Sequence, residues 1–182
     1  RYLARTVVGH LRLGVAEGIL RDAIVQAFGR DTDAAAEHVE RAYHLTSDLA
    51  HVASVAATEG IDGCAAIDLA PFRPVRAMLA TKADGLSDGL QSVAPTTDAV
   101  RIERKYDGIR VQLHRADGAI RLFTRRLADI TQQFPEVIKA VDGALAAEGV
   151  ILDGELVGVD PSKGTPVAFQ ELSRRIKRKH DI

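Results

Sequence analysis

The chain has 182 residues, with 24 Lys and Arg against 25 Asp and Glu and a formal net charge of −1. Bulk charge therefore does not indicate a nucleic-acid binder, which usually carries a basic surplus. No apolar run approaches the roughly 20 residues that span a bilayer, and no secretory pattern opens the sequence. A single cysteine, Cys64, excludes a disulfide framework, so we expect a reducing, cytoplasmic location.

Residues 1–69 show the spacing of amphipathic helices, because apolar side chains recur every three or four positions. Such stripes usually serve packing. The sequence predicts a small helical bundle, with a helix cap at Asp33 and stripes at Ile19, Leu20, Ala23, Ile24, Ala27 and Phe28 and at Leu49, Val52, Ala53 and Ala56.

Two prolines, Pro71 and Pro74, interrupt every periodic pattern and favour extended backbone. A chain of this length can hold two small domains. We therefore predict a helical domain at 1–70, a linker at 71–78 and a second domain at 79–182.

Beyond the linker, apolar residues recur at every second position, which is typical of strands. Ile109, Val111 and Leu113 form one face, and the alternate residues, including Gln112 and His114, are expected to point outward. Asp-Gly at 117–118 predicts a hairpin turn. A helix from Phe134-Pro135 to Gly149 and a strand from Val150 follow. The predicted fold class is multi-domain, α followed by α+β with an antiparallel sheet.

The hexapeptide Lys105-Tyr106-Asp107-Gly108-Ile109-Arg110 places a lysine, a carboxylate and an arginine around a tight turn. An amine attacks phosphorus only when it is deprotonated, which requires neighbouring cations, a metal or desolvation. The alternative is chance, since Asp-Gly is a common turn. The stretch 101–126 has eight basic residues against three acidic ones, so it is suited to phosphates: Arg101, Arg104, Lys105, Arg110, Arg115, Arg121, Arg125 and Arg126.

Two further segments, Phe123–Leu127 and Ile151–Val157, follow in an order and spacing that resemble ATP-dependent DNA ligases, particularly the archaeal and related bacterial form. Gly9–Gly14 is similar to a stretch of that family's DNA-binding domain. Arg76–Ala80 resembles its Arg-Pro-Met-Leu-Ala segment, with alanine in place of proline.

The resemblance implies a role for each matching residue. Lys105 would be the nucleophile that carries AMP, and Glu103 would read the adenine. Arg110 and Arg125 would hold the ribose and phosphates and later the 5′-phosphate of the nick, while Glu155 would contact ribose or support Mg²⁺. Guanidinium forks and carboxylates suit these tasks. Arg12 would contact DNA, unless it is only a solvated side chain.

The resemblance also implies ATP and Mg²⁺ as cofactors, nicked duplex DNA as the substrate, and a monomeric, nucleoid-associated enzyme without membrane contact. A sliding clamp is a further partner that it allows. The second domain would be an incomplete nucleotidyltransferase, an ATP-grasp-like adenylation domain. Later family motifs and an OB-fold would lie beyond Ile182. We therefore expect a fragment of a longer protein, inactive in ligation by itself.

Two rival functions stay open. An RNA ligase or an mRNA-capping nucleotidyltransferase shares the lysine chemistry, and a non-catalytic DNA-binding protein could keep a ligase-like fold. Several single residues also have ordinary explanations. Asp107 and Asp153 could be turn formers, Glu103 could pair with a surface cation, and Cys64 is expected in a loop without a function. No histidine spacing predicts zinc.

Overall fold

The structure is a computed structural model that describes residues 17–29, 34–94 and 99–176. Its contacts gather into two compact units, Arg1–Val75 and Arg76–Ile182. Arg12 and the predicted cap Asp33 lie outside the described residues. The first unit is helical, and the second combines helices with small antiparallel sheets.

Three helices form the described part of the first unit: α1 (Glu17–Phe28), α2 (Ala35–Thr46) and α3 (Leu49–Ala66). Small side chains at Ala42 and Ala56 are fully buried and allow α2 and α3 to pack closely. The apolar stripe of α1 is less covered, since Ile24 is buried whereas Leu20 and Phe28 are exposed. The core consists of Ile24, Val39, Ala42, Val52, Ala56 and Cys64.

The junction between α2 and α3 is set by local hydrogen bonds. Ser47 ends α2 in the left-handed region, with φ +52°, and its N–H donates to the carbonyl of Tyr43. Asp48 then caps α3, because its carboxylate accepts from the N–H groups of Ala50 and His51 at 3.0 Å. Gly60, with φ +74°, breaks the regular dihedrals within α3.

Cys64 corrects one expectation, because it lies in α3 and not in a loop, and it is fully buried. Burial raises the pKa of its thiol, with a smaller contribution from Glu59. A protonated, enclosed thiol is a packing group. The loop prediction relied on Gly60 and Gly63, but the helix is kinked at Gly60 and then resumes through Gly63 and Cys64.

The elements of the second unit in chain order are α4 (Leu86–Val93), β1 (Ile109–Ala116), β2 (Ala119–Thr124), a 3₁₀ turn (Thr131–Gln133), α5 (Pro135–Ala144), β3 (Val150–Leu156), β4 (Val159–Asp160), β5 (Thr165–Pro166) and α6 (Phe169–Ile176). The strands form a three-stranded antiparallel sheet of order β2-β1-β3 and a separate two-stranded ribbon of β4 and β5.

The predicted hairpin is present, since Asp117 and Gly118 both have positive φ, +49° and +71°. These dihedrals suit a two-residue turn between β1 and β2. One face of the sheet, with Val111, Leu113 and Leu122, packs with partly buried side chains of α5 and α6. Helix α5 ends at Ala144, before the predicted stop at Gly149. Arg115 fixes this end, because its Nη1 donates to the carbonyl of Leu145 at 2.6 Å.

The opposite face of β1 differs from the expectation that it points outward. Gln112 and His114 are both buried, and His114 has no exposed surface. The ring of His114 meets Phe123 edge to face, with 5.0 Å between centroids. Burial lowers the pKa of His114. Alternation alone cannot separate a half-buried strand from one that is covered on both faces.

Candidate active site

Three strand ends meet at one end of the three-stranded sheet. The register pairs Arg110 of β1 with Glu155 of β3, and Val111 with Thr124 of β2. Because both pairings are antiparallel, the start of β1 lies between the last residues of β2 and β3. Residues just before β1 and just after β2 therefore share this end of the sheet.

Lys105 lies four residues before β1, in a segment without helix or strand, and is exposed. Within the described ranges its amine makes no ion pair. The lysine segment is attached to the sheet at Gly108, whose N–H donates to Glu155 Oε1 at 3.2 Å. Glu155 thus binds the backbone that leads from the lysine into β1.

A glycine is needed at position 108 because β3 lies very close to its Cα, and not because of its dihedral angles. A Cβ added at this position would meet the carbonyl oxygen of Leu156 at 2.2 Å and Cγ of Glu155 at 2.9 Å. Any larger residue would push β1 and β3 apart at the point where Glu155 accepts its hydrogen bond. The glycine therefore lets the lysine segment lie directly against β3.

Arg110 is held by a two-point ion pair with Asp153. Its Nε and Nη2 donate to Asp153 Oδ1 and Oδ2 at 3.1 and 2.7 Å, and its Nη1 donates to the carbonyl of Met78 at 3.3 Å. The hydrogen bonding of Arg110 to the Asp153 carboxylate is the largest cause that raises the pKa of Arg110. The guanidinium is a fixed cation with a defined plane.

Asp153 is the residue that sequence reasoning undervalued. It was considered a turn former before Gly154, whereas it lies inside β3. Asp153 and Glu155 are two positions apart, so both project from the same face of the strand as Arg110. The alternation Asp-Gly-Glu within an apolar strand is the signal that could have identified it.

Arg125 directly follows Thr124, the last residue of β2, and Thr124 pairs with Val111 near the start of β1, so Arg125 begins the turn at this end of the sheet. The turn that carries it is ordered by hydrogen bonds, since Thr124 Oγ1 accepts from the N–H groups of Arg126 and Ala128 at 3.3 Å each. The side chains of Arg125 and Arg126 are exposed. This end of the sheet therefore combines two site arginines with one carboxylate pair.

Glu103 is the predicted site residue that no contact connects to the strand ends in the described part of the chain. Its Oε1 lies 3.9 Å from Nη1 of Arg101, and both side chains are largely exposed to solvent. This contact is a surface ion pair of the kind that the alternative allows, and the adenine role of Glu103 stays a prediction. The fold thus brings together Arg110, Glu155 and the ends that carry Lys105 and Arg125.

Other features of the described residues do not point to a separate centre. No group of three or more His, Cys, Asp or Glu side chains is arranged to hold a metal among them. A shallow cavity of about 520 Å³ lies away from the strand ends, lined by Ile120, Arg121, Asp129, Thr131, Gln132 and Gln133. The helices in these ranges are all too short or too polar to cross a membrane.

Residues 77–182 match the family described as "ATP dependent DNA ligase domain". This match covers more than half of the chain and contains every site residue of the sheet end. The chain belongs to the ATP-dependent DNA ligase family.

Similar proteins of known name agree with that membership. A DNA ligase of Methanothermobacter thermautotrophicus is 45% identical over 182 residues, which is all of this chain and 31% of that protein. A DNA ligase of Thermococcus onnurineus is 43% identical with the same coverage. The chain therefore spans about a third of the length of these relatives.

Among solved structures, a mycobacterial DNA ligase D complexed with ATP and MES is 36% identical and overlaps 40% of this chain and 23% of that chain, with a TM-score of 0.34.

Proposed function

We propose that the protein containing this chain is an ATP-dependent DNA ligase that seals nicks in duplex DNA through a covalent lysyl-AMP at Lys105. The observation that carries the proposal is the family match over 77–182. It covers the sheet end at which Arg110 and Glu155 lie opposite each other and to which Gly108 attaches the Lys105 segment.

The proposed reaction has three steps. The neutral Lys105 amine attacks the α-phosphorus of ATP, a phosphoramidate bond forms, pyrophosphate leaves with the bonding electrons, and the amine loses a proton. The 5′-phosphate of the nick then attacks the same phosphorus, the phosphorus–nitrogen bond breaks, and the lysine nitrogen takes up a proton as it leaves. Finally the 3′-hydroxyl attacks the activated 5′-phosphate, loses its proton and expels AMP.

The residues of this chain mainly position the reactants and neutralise charge, which is most of what phosphoryl-type transfer requires. Arg110 and Arg125 supply cationic N–H donors from two adjacent strand ends, and these suit phosphate and ribose oxygens. The exposed Lys105 segment allows the amine to reach a bound nucleotide. Glu103 is proposed to contact the adenine when nucleotide is present.

Mg²⁺ is proposed as the metal that neutralises phosphate charge during transfer. The available donors fit it, since Mg²⁺ is usually held by one or two carboxylates together with substrate phosphates and water. Glu155 uses Oε1 on Gly108, and its other oxygen could ligate Mg²⁺ or accept from a ribose hydroxyl. Asp153 is already engaged by Arg110.

The first unit is proposed as part of a DNA-binding domain, with Arg12 as one contact and no sequence preference. The second unit is then the first part of an adenylation domain of the nucleotidyltransferase fold. We propose a monomeric, cytoplasmic, nucleoid-associated enzyme, with a sliding clamp as a further partner. Ligases act at any nick, so contact with the phosphate backbone is the suitable mode of binding.

Nick sealing by the full-length protein tests the proposal. With ATP, Mg²⁺ and a nicked duplex, Lys105→Ala should abolish sealing, because no other group replaces the attacking amine. Lys139→Ala removes an exposed lysine from α5 and serves as the matched control that should seal normally. Normal sealing by Lys105→Ala would contradict the proposal, as would a covalent GMP adduct formed without an AMP adduct.

A further inference from the structure

The outer edge of β2 is covered along only part of its length. Because a two-residue turn joins β1 to β2, hydrogen-bonded pairs alternate along the hairpin, and the main-chain groups of every second residue of β2 point away from β1. These residues are Ile120, Leu122 and Thr124. The segment after β2 returns along this edge, since the N–H of Thr124 donates to the carbonyl of Ala128 at 2.9 Å and the carbonyl of Leu122 accepts from Ile130 at 2.8 Å.

This cover ends at Ile120. The N–H of Leu122 still donates to Thr131 Oγ1 at 3.0 Å, but the chain then leaves the edge in the 3₁₀ turn. The outward N–H and C=O of Ile120 form no hydrogen bond within the residues that the structure describes. The side chain of Ile120 packs against the core of the sheet, so the residue presents main chain to this opening. An open donor and acceptor on one edge residue match the main chain of another extended segment.

The cavity of about 520 Å³ lies beside this open position. Its lining consists of Ile120, Arg121, Asp129, Thr131, Gln132 and Gln133. The single cation and the single carboxylate of the lining cancel in formal charge. A DNA backbone offers only acceptor oxygens and negative charge, which the carboxylate of Asp129 opposes. An uncharged peptide offers both donors and acceptors, and it therefore suits this lining better.

We propose that the open edge of β2 at Ile120 binds an extended, uncharged polar peptide segment of a partner protein by strand addition. The peptide pairs with the N–H and C=O of Ile120, and the exposed amide of Gln132 is a further donor and acceptor beside it. The surface lies toward the turn of the hairpin, away from the strand ends that carry Arg110 and Arg125. It is a binding surface without catalytic groups, and it does not depend on the proposed reaction.

Hydrogen–deuterium exchange of the full-length protein tests whether the edge is open and what closes it. The Ile120 amide should exchange rapidly in the free protein. It should become protected on addition of an octapeptide selected from a random phage-displayed library on that protein. Slow exchange in the free protein would overturn the proposal, because another part of the same protein would then cover the edge. Protection by duplex DNA, or a selection that yields no protecting peptide, would also overturn it.

Two variants at the same position separate main-chain pairing from packing. Ile120→Pro removes the outward N–H, a change that an edge strand tolerates. It should weaken binding of the selected peptide by about tenfold or more, because one main-chain hydrogen bond is lost and the ring meets the peptide. Ile120→Ala keeps the N–H and should bind like the wild type. Equal losses in both variants would assign the effect to altered packing and overturn the proposal.

Two controls accompany these variants. Ile120→Pro lacks an amide at this position, so the difference between its exchange and that of the wild type identifies the Ile120 signal. Thermal unfolding of both variants reports whether the fold is retained. The exchange measurement on the wild-type protein decides the proposal even if Ile120→Pro does not fold.

Discussion

Single residues determine which groups Arg110 contacts at the end of the sheet. Two separate contacts join the start of β1 to the end of β3: Arg110 donates to Asp153, and the N–H of Gly108 donates to Glu155. Each contact depends on a short distance that a small change of side chain would disturb. The lysine segment is therefore positioned by its neighbours in the sheet and not by contacts of the Lys105 amine.

Gly108 gives the sharpest residue-scale prediction. Gly108→Ala should destabilise the protein by about 1–3 kcal/mol, a range typical of an overpacked site, because the new Cβ would overlap the Leu156 carbonyl oxygen and Cγ of Glu155. The displacement should also break the contact from Glu155 to the lysine segment and slow lysyl-AMP formation. Thermal unfolding and a single-turnover assay measure the two effects.

Gly154→Ala is the matched control on the adjacent strand, because a Cβ there meets nothing within 4 Å. It should leave both stability and rate nearly unchanged. Equal effects from the two alanine variants would show that close packing at Gly108 is not what the site requires.

At the scale of elements, β1 is the central strand of the sheet and is covered on both faces. Burial disfavours the charged form of its His114, since an imidazolium without exposed surface loses its hydration. The pKa of His114 is therefore lower in the folded chain than the ordinary value of about 6.5.

The sign of the resulting pH dependence follows from proton binding. Below pH 6.5 the unfolded state binds a proton that the folded state does not, so stability is complete above this value and is lost as pH falls toward the folded pKa. Each unit of difference corresponds to about 1.4 kcal/mol. The unfolding temperature should therefore decrease in the order pH 7.5, 6.5 and 5.5.

His114→Gln should flatten this pH dependence, whereas His51→Gln, a change on the helical unit, should leave it intact. An equally steep loss of stability in His114→Gln would assign the effect to other groups. The same comparison reports whether β1 is as enclosed in the full-length protein as it is here.

Element types were predictable from sequence wherever a periodic pattern coincided with a local signal. The β1–β2 hairpin is the clearest case, because alternating apolar residues flank Asp117-Gly118 and both residues have the left-handed dihedrals. Helix α4 was not predicted, because its apolar stripe of Leu86, Leu90 and Val93 spans only eight residues and contains Gly89. A glycine inside so short a pattern weakens the helical signal.

The sequence proposed residues for the candidate site but not the pairings between them. Lys105, Arg110 and Glu155 were identified from motif order, which carries no information on strand register. The contact between Arg110 and Asp153 spans 43 positions in sequence and depends on how β1 and β3 align. The burial of Gln112 and His114, which leaves β1 covered on both faces, likewise depends on neighbours that are distant in sequence.

At the scale of the whole molecule, the chain has two units, and the family match at 77–182 coincides with nearly all of the second. The relatives are about three times as long as this chain. Under the proposed function, the complete reaction is therefore to be measured on the full-length protein. Formation of lysyl-AMP is the step that the residues described here address most directly.

The most direct measurement is therefore peptide mapping by mass spectrometry of the full-length protein after incubation with ATP and Mg²⁺. The proposed chemistry predicts an acid-labile AMP on the side chain of Lys105, removed by pyrophosphate and absent from Lys105→Ala. An AMP adduct on another residue, or an active ligase in which Lys105 never carries AMP, would contradict it.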